Sequence, residues 1–546
     1  MKTTLRSIVA LVVMSYVFMA TTAWARTPED SPDAVLSQKA VSLTVMACNI
    51  YPAITDDDVC VDKVVRKILS DRNMSSDRQE EVLRELEQTF AARHPQQFGE
   101  NMTAQQIHLS ALVFKLFDVI QLSCVIEPQI VDFKTCMNGV YHSILSSRDP
   151  HSGYMNEEES AAFMKSMSGD MQGIGVHFGF TDERAIGVVH VMEGSPAEKA
   201  GVKDGDRIVA IVNGNKRVLT TSLPDMEAAI GQIAGKPNTP VILEILRGDK
   251  DQLLTITVVR ASIKVPMVKT RILRMPNDPN AKYAYVELVQ FGTALRSKMV
   301  ESVKQMLARH SGVKGIIFDV RNNPGGLLTE AYEAVDAIAD STDPLVSIRD
   351  NNGVHAYGTV AGERIPEPQR GDITNGLACA VLINGSSASA AEIFAGDLKK
   401  LGRCVIIGKG TWRKGSMQNI GPFGDGSYVR LNEAEYLLGS PTSYVAVQCK
   451  GIDPDIDYDI EGVIDQKKDI HECDLDGAIV SGGASSDPSA TRAPLIERDP
   501  ALYLFGEKAR DAVKAMDHVE YLRLERVKKV LKMSDKEPKA SQKAGK

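Results

Sequence analysis

The 546-residue chain is 43% hydrophobic and 25% charged, a make-up that fits a folded globular protein and excludes a disordered or fibrous one. Its length corresponds to roughly three or four domains. The formal charge of −8, with no basic patch interleaved with aromatics, argues against nucleic acid as a partner.

The chain begins with Lys2 and Arg6, an apolar run from Ile8 to Ala20, and Ala23-Trp24-Ala25. This reads as a secretory signal peptide over residues 1–25, cleaved near Ala25, so the mature protein is expected to be periplasmic or otherwise exported. The apolar run falls short of the ~20 residues of a membrane span. No later segment reads as transmembrane, and no stable membrane span is expected. No cysteine follows the cleavage site, which argues against lipid attachment there. All eight cysteines lie in the exported part. In an oxidising compartment an even count reads as disulfides, and the expected pairs are Cys48–Cys60, Cys124–Cys136, Cys379–Cys404 and Cys449–Cys473. Spacing alone leaves this connectivity open, with buried free thiols as the alternative. No His/Cys spacing suggests a zinc site.

Residues 26–165 are expected to be helical. Ser76-Asp77-Arg78-Gln79 offers a capping box, followed by Val82, Leu83, Leu86 and Phe90 on one face. Leu109, Leu112, Val113, Leu116 and Ile120 form a second apolar stripe, read as core.

Next come Gly173-Ile174-Gly175-Val176 and, after alternating residues, Gly194-Ser195-Pro196-Ala197-Glu198-Lys199-Ala200-Gly201-Val202-Lys203-Asp204-Gly205-Asp206. Together the two patterns resemble a PDZ domain, over residues 170–261. That resemblance implies that the backbone of Gly173, Ile174, Gly175 and Val176 receives a terminal carboxylate, and that the following strand pairs with a peptide. A helix from about Pro224 to Ile233 would wall the groove. An internal scaffold domain that binds nothing is the alternative.

In residues 262–475, Tyr283–Val286 and Ile316–Val320 read as strands separated by a helix near Ala294–Arg309. Arg321-Asn322-Asn323-Pro324-Gly325-Gly326 follows the second. Cys379–Ile383 is a short apolar strand. The small-residue turn Asn384-Gly385-Ser386-Ser387-Ala388-Ser389-Ala390-Ala391-Glu392 comes next, then a helix carrying Ile393, Phe394, Leu398 and Leu401. Such a turn is often mere packing and capping. It also leaves backbone N–H groups and the positive end of a helix dipole beside a serine, where they can hold a developing oxyanion. Val405-Ile406-Ile407 then leads through a glycine-rich turn to Lys414 and Gln418. A lysine acting as general base must be desolvated enough to be neutral near pH 7. Tyr428–Leu431 and Glu435–Leu438 read as two strands. Residues 476–495 read as a Gly/Ser/Ala/Pro linker, 496–535 as a C-terminal helix opened by Asp499-Pro500, and 536–546 as a disordered Lys-rich tail.

Two blocks at matched separation resemble the carboxy-terminal processing peptidases, also called tail-specific proteases. The first is S-A-S-A-(S or A)-E, here Ser387 to Glu392. The second is T-F-G-K-G-x-x-Q, here Thr411 to Gln418 with Trp412-Arg413 in place of Phe-Gly. The resemblance implies Ser389 as nucleophile, Lys414 as base 25 residues later, and Gln418 as its support. Trp412-Arg413 leaves the local turn geometry open. The family's D-x-R-x-N-x-G-G loop maps to Asp319–Gly326 and implies a glycine N–H, Gly325 or Gly326, as oxyanion partner of the Ala390 N–H. Asp149-Pro150-His151-Ser152-Gly153-Tyr154-Met155 and Gly451-Ile452-Asp453-Pro454-Asp455 match two further family segments. The part before about His108 has no counterpart and is left to dimerisation or an adaptor protein.

The resemblance implies an α+β multidomain protein, with a helical N-terminal region, a PDZ domain and a crotonase/Clp-like ββα serine peptidase core. It implies an exported serine endopeptidase that cleaves proteins near their C-terminus, acting on protein or peptide substrates with free C-terminal tails. An adaptor protein and a homo-oligomer stay open as partners. No metal, nucleotide or other cofactor is implied. Two rivals remain. One is a serine hydrolase with a histidine base, although none of the ten histidines sits in a recognisable triad motif. The other is a non-catalytic PDZ-based binding or scaffold protein.

Overall fold

The computed structural model describes residues 32–48, 56–93, 133–458 and 472–474 with short internal gaps, and parts of 112–124 and 502–514. The expected signal peptide 1–25, most of the expected helix Pro224–Ile233, the expected linker 476–495 and the expected tail 536–546 lie outside the described residues.

Five helices come first: α1 Pro32–Cys48, α2 Asp57–Ser70, α3 Ser76–Arg93, α4 Phe133–Ser146 and α5 Glu157–Met167. Leu43, Val64, Ile68, Leu69, Met137 and Ile144 form their common core, and Leu116 and Ile120 of the expected second stripe join it. The Cys48–Cys60 and Cys124–Cys136 disulfides fasten this region. Helix α3 is capped one residue earlier than expected. Ser75 Oγ accepts from Arg78 N at 3.4 Å, while the Gln79 amide donates to Met74 O at 2.8 Å. The sequence offers two adjacent serines, and the upstream one takes the capping position.

Strands β2 Asp170–Gly173 and β9 Ala261–Lys264 form an antiparallel ribbon. Between them lie β3 Val176–Phe180, β4 Ile186–Val191, α6 Pro196–Ala200, β5 Arg207–Asn213, β6 Lys216–Leu219, β7 Pro240–Arg247 and β8 Gln252–Val259. Their sheet runs β3-β4-β5-β7-β8, with β6 on β5, so β3 is an edge strand. Helix α6 starts as its sequence dictates: Ser195 Oγ accepts from Glu198 N, Pro196 opens the first turn, and Gly201 closes it at φ 87°.

The remaining chain builds two sheets around three helices, α7 Leu295–Arg309, α8 Leu328–Ala339 and α9 Ala390–Lys400. One sheet contains β10 Val268–Met275, β11 Asp278–Leu288, β12 Val313–Asp319, β15 Cys379–Ile383, β16 Cys404–Gly408 and β20 Ile456–Asp457, in that order. From β11 onward its strands are parallel. Cys379 and Cys404 face each other across β15 and β16 and are disulfide-bonded. The other sheet contains β13 Val346–Asp350, β14 Gly353–Ala356, β17 Ser416–Pro422, β18 Tyr428–Ser440 and β19 Ser443–Ala446, and it takes in β1 Gly153–Met155 from the helical region.

The parallel strands are buried on both faces, which is why they read as unbroken apolar runs. Ile316, Phe318, Val381 and Ile406 enter the core shared with α7 to α9. The alternate residues Ile317, Ala380, Leu382, Val405 and Ile407 face the other way. Their cover comes from near the chain's end, where residues 502 and 504–514 are helical and place Leu502, Phe505, Ala509 and Val513 against them. Gly315 makes room for this helix, since a Cβ there would stand 2.2 Å from the Phe505 ring. Truncating Phe505 to alanine is therefore expected to cost about 3 kcal/mol, read as a lower urea midpoint.

Tyr428–Leu431 and Glu435–Leu438 are parts of one strand, β18, a correction to the two strands expected. The polar residues between them looked like a break. Asn432 and Glu435 are instead buried in the sheet with partners: the Asn432 amide donates to Asp149 Oδ1 at 2.7 Å and Arg349 donates to Glu435 Oε2 at 3.1 Å.

Candidate active site

Three loops meet where the parallel strands β12, β15 and β16 end, the position at which open α/β sheets bind ligands. The β15 loop carries Ser387 and Ser389. Ser387 is buried, and its hydroxyl is committed to Val320 O at 2.8 Å while accepting from Asn384 N at 3.0 Å. With the Ala388 N–H bonded to Asn323 O at 3.0 Å, this fixes the turn against the β12 loop. Ser389 is different. Its backbone is held at φ 54°, ψ −118°, a strained conformation for a residue with a side chain, and its hydroxyl donates to no acceptor among the described residues. It stands at the start of α9, in the field of that helix's N-terminus.

The β12 loop supplies the glycines. Gly325, at φ 98°, packs so closely on the serine turn that a Cβ would lie 2.8 Å from Ser389 Cβ and 3.0 Å from Ala390 N. Its own N–H is already bonded to Asn323 Oδ1 at 2.8 Å. The N–H groups of Gly326 and Ala390 have no hydrogen-bond partner among the described residues.

The β16 loop carries Lys414. Arg413 adopts φ 74°, the left-handed conformation that favours the glycine of the resembling motif, so the Trp412-Arg413 departure keeps the turn. The loop is tied to the serine loop by one carboxylate. Glu392, fully buried, accepts at Oε1 from the Thr411 hydroxyl at 2.5 Å and the Arg413 N–H at 2.8 Å. At Oε2 it accepts from the Ser389 N–H at 2.8 Å and the Lys414 N–H at 2.9 Å. Burial pushes this carboxyl up to about 7, against the pull of those four donors. On the other side the buried Tyr436 hydroxyl donates both to Ser389 O, at 3.2 Å, and to Lys414 O.

Burial lowers the Lys414 amine to about 8, and the nearby Arg430 adds to this. Glu472, Asp149 and Glu392 pull the other way. Gln418 lies on β17, and its Nε2 is buried with no hydrogen-bond partner; no bond joins it to Lys414. Gly173 ends β2 and Val176 opens β3, with Ile174 and Gly175 in the turn between them. Ile174 packs its side chain into the core of that unit, and its carbonyl accepts from Ala197 N at 2.9 Å. What it offers outward is backbone.

Two residues without a role in the sequence reading, His151 and Glu472, pair near the lysine's loop. His151 Nε2 lies 2.8 Å and 2.9 Å from the two oxygens of Glu472, which also accepts from Trp412 Nε1 at 3.1 Å. Burial alone would raise the Glu472 carboxyl, but His151, Lys414 and Trp412 outweigh it and hold the group low. The available signals were the match at Asp149–Met155 and the position of Glu472 next to a paired cysteine.

Residues 282–458 match the family model for peptidase family S41, and residues 172–258 match that of the PDZ domain. Over 380 residues, 68% of this chain and 81% of the relative, the sequence is 33% identical to a carboxy-terminal-processing protease of Bartonella bacilliformis. It is 30% identical over 312 residues to a probable CtpA-like serine protease of Staphylococcus aureus, covering 57% of this chain and 58% of that one. Among solved structures, the photosystem II D1 C-terminal processing protease aligns with a TM-score of 0.42 and 23% identity, over 66% of this chain and 92% of that one. The protein is thus a serine-type peptidase with a PDZ domain. It belongs to the carboxy-terminal-processing proteases of peptidase family S41.

Proposed function

We propose that this protein is an exported endopeptidase that cuts proteins near their carboxyl end with a Ser389/Lys414 dyad. The observation that carries this reading is the double tie between the two loops: Glu392 binds the backbone N–H groups of both residues, and Tyr436 binds both carbonyls. Nothing in core packing requires a strained serine whose hydroxyl donates to no acceptor among the described residues to be fastened to a desolvated lysine.

In this reading Ser389 Oγ attacks the scissile carbonyl and its proton passes to neutral Lys414 Nζ. The Gly326 and Ala390 N–H groups stabilise the oxyanion; Gly325, whose N–H is engaged, brings the loops close. The ammonium then returns the proton to the leaving amine, and water releases the acyl group by the same steps in reverse. Gln418 supports the lysine once substrate is bound. A substrate tail adds to the free edge of β3, with its carboxylate on the Gly173–Val176 turn, where the Ile174 and Gly175 N–H groups have no partner among the described residues.

The test is mass spectrometry of exported proteins from cells carrying the wild type or the Ser389→Ala variant. Carboxyl ends trimmed in the wild type are expected to stay full-length in the variant. Identical carboxyl ends in both, or a covalent serine probe that labels another position, would overturn the reading.

One observation supports a second reading. The His151–Glu472 pair beside Lys414 has the make-up of a histidine base with its orienting carboxylate. In that case a Lys414→Ala variant keeps most of its turnover and a His151→Ala variant loses it.

A further inference from the structure

The loop bearing Lys414 is wrapped on both sides by segments that one disulfide joins. On one side, Gln448 Oε1 accepts from Gly415 N at 2.6 Å, and the Cys449 N–H donates to Arg413 O at 3.0 Å. This contact is tight, since a Cβ on Gly415 would lie 2.5 Å from Gln448 N. On the other side, the Glu472 N–H donates to Trp412 O at 3.0 Å, and its carboxylate takes the Trp412 and His151 N–H groups. Cys449 and Cys473 close the clasp. Glu472 is 1% exposed, so its charge acts through a desolvated path rather than through water.

We infer that Glu472 is a positioning residue for Lys414, and that the Cys449–Cys473 disulfide belongs to the catalytic apparatus because it carries Glu472 into place. The inference rests on the Ser389/Lys414 reading. Four charged groups bear on the amine, each from a different element: Asp149 after α4, Glu392 on α9, Arg430 on β18 and Glu472 beside Cys473. Asp149 is bound by backbone donors of its own loop, and Glu392 by those of the serine and lysine loops. Glu472 is the carboxylate among them whose segment is fastened by a disulfide. Its negative charge favours the ammonium and so opposes the burial that makes the lysine a base. Among the described residues no ion pair joins Glu472 to the Lys414 amine; Glu472 instead holds Trp412, at its carbonyl and its indole N–H, together with His151, and so fixes the loop from which the amine extends.

The test compares pH profiles of kcat/KM on a peptide substrate for the wild type and for Glu472→Gln, Glu472→Asp, the Cys449→Ser/Cys473→Ser double variant and Lys414→Ala. In the wild type the acidic limb is expected near the lysine's value of about 8. In Glu472→Gln the limb moves to lower pH, as loss of an opposite charge requires. There kcat on the alkaline plateau falls about tenfold with KM unchanged, because the residue holds the lysine's loop without touching substrate. Glu472→Asp returns the limb toward its wild-type position. The double cysteine variant shifts the limb as Glu472→Gln does. Glu472→Gln keeps the disulfide, so its unfolding midpoint shows whether the fold is intact.

A wild-type limb and plateau in Glu472→Gln would overturn the inference while leaving the dyad standing. A wild-type profile in the double cysteine variant would remove the disulfide from it. Retained turnover in Lys414→Ala would sink the dyad reading and the inference together.

Discussion

Alanine at position 414 is expected to lower kcat/KM by about 10⁴-fold, the order of a lost general base, while the affinity of the PDZ domain for a peptide tail stays as it was. Among the described residues Lys414 donates only its backbone N–H, to Glu392, and the substitution keeps that bond. Structure should therefore survive the loss of activity. The sign of the pH dependence follows from the same burial. A lysine lowered to about 8 is mostly protonated at pH 7 and cannot accept the serine proton, so wild-type activity rises as pH increases through that value. Stopped or continuous assays from pH 6 to 10 measure the limb. A flat profile would exclude an amine base with that environment.

The second large effect is expected at Glu392. In Glu392→Ala the backbone N–H groups of Ser389, Arg413 and Lys414 lose their acceptor in a buried site. Each unpaired buried donor costs about 1–3 kcal/mol, and water entering the vacated space recovers part of it. A net loss of about 3 kcal/mol is expected in urea unfolding. Turnover should fall at least about a hundredfold, because a shift of about 1 Å between nucleophile and base already has that effect. Glu392→Gln is the sharper probe. It keeps the volume but sets amide hydrogens against backbone donors, so it should lose rate with a smaller change in stability. Full activity in Glu392→Gln would show that the tie is structural ornament.

Much of this was legible in the chain. The cysteine pairs are joined as their order in sequence suggested, and all four loops are short, at 12, 12, 25 and 24 residues. The Ser387–Glu392 and Thr411–Gln418 blocks were found because their chemistry sits in contiguous residues. What stayed hidden depends on residues far apart in sequence. Tyr436 bridges the two loops from a strand 47 residues beyond Ser389, and nothing local marks it. His151 and Glu472 are separated by 321 positions. That the Gly325 N–H is already engaged rests on a single hydrogen bond that it donates to the Asn323 side-chain oxygen. The break placed inside β18 failed for a related reason, because a buried polar residue with a partner has the same letter as an exposed one. The run Val405-Ile406-Ile407 did hold the missing information about its second face. A strand apolar at every position needs two covers, and the second one arrived from beyond residue 500.

The ribbon of β2 and β9 has one more consequence. Asp170 lies opposite Lys264 and Gly173 opposite Ala261, so the chain leaves the catalytic body and returns to it through neighbouring positions about 5 Å apart. A two-residue hairpin closes a gap of that width. The PDZ module is thus plugged in as a cartridge at a single socket, and it can be excised or exchanged for another with adjacent ends without redrawing either catalytic sheet. Evolution, or an engineer, is free to change this module independently of the sheets that carry Ser389 and Lys414.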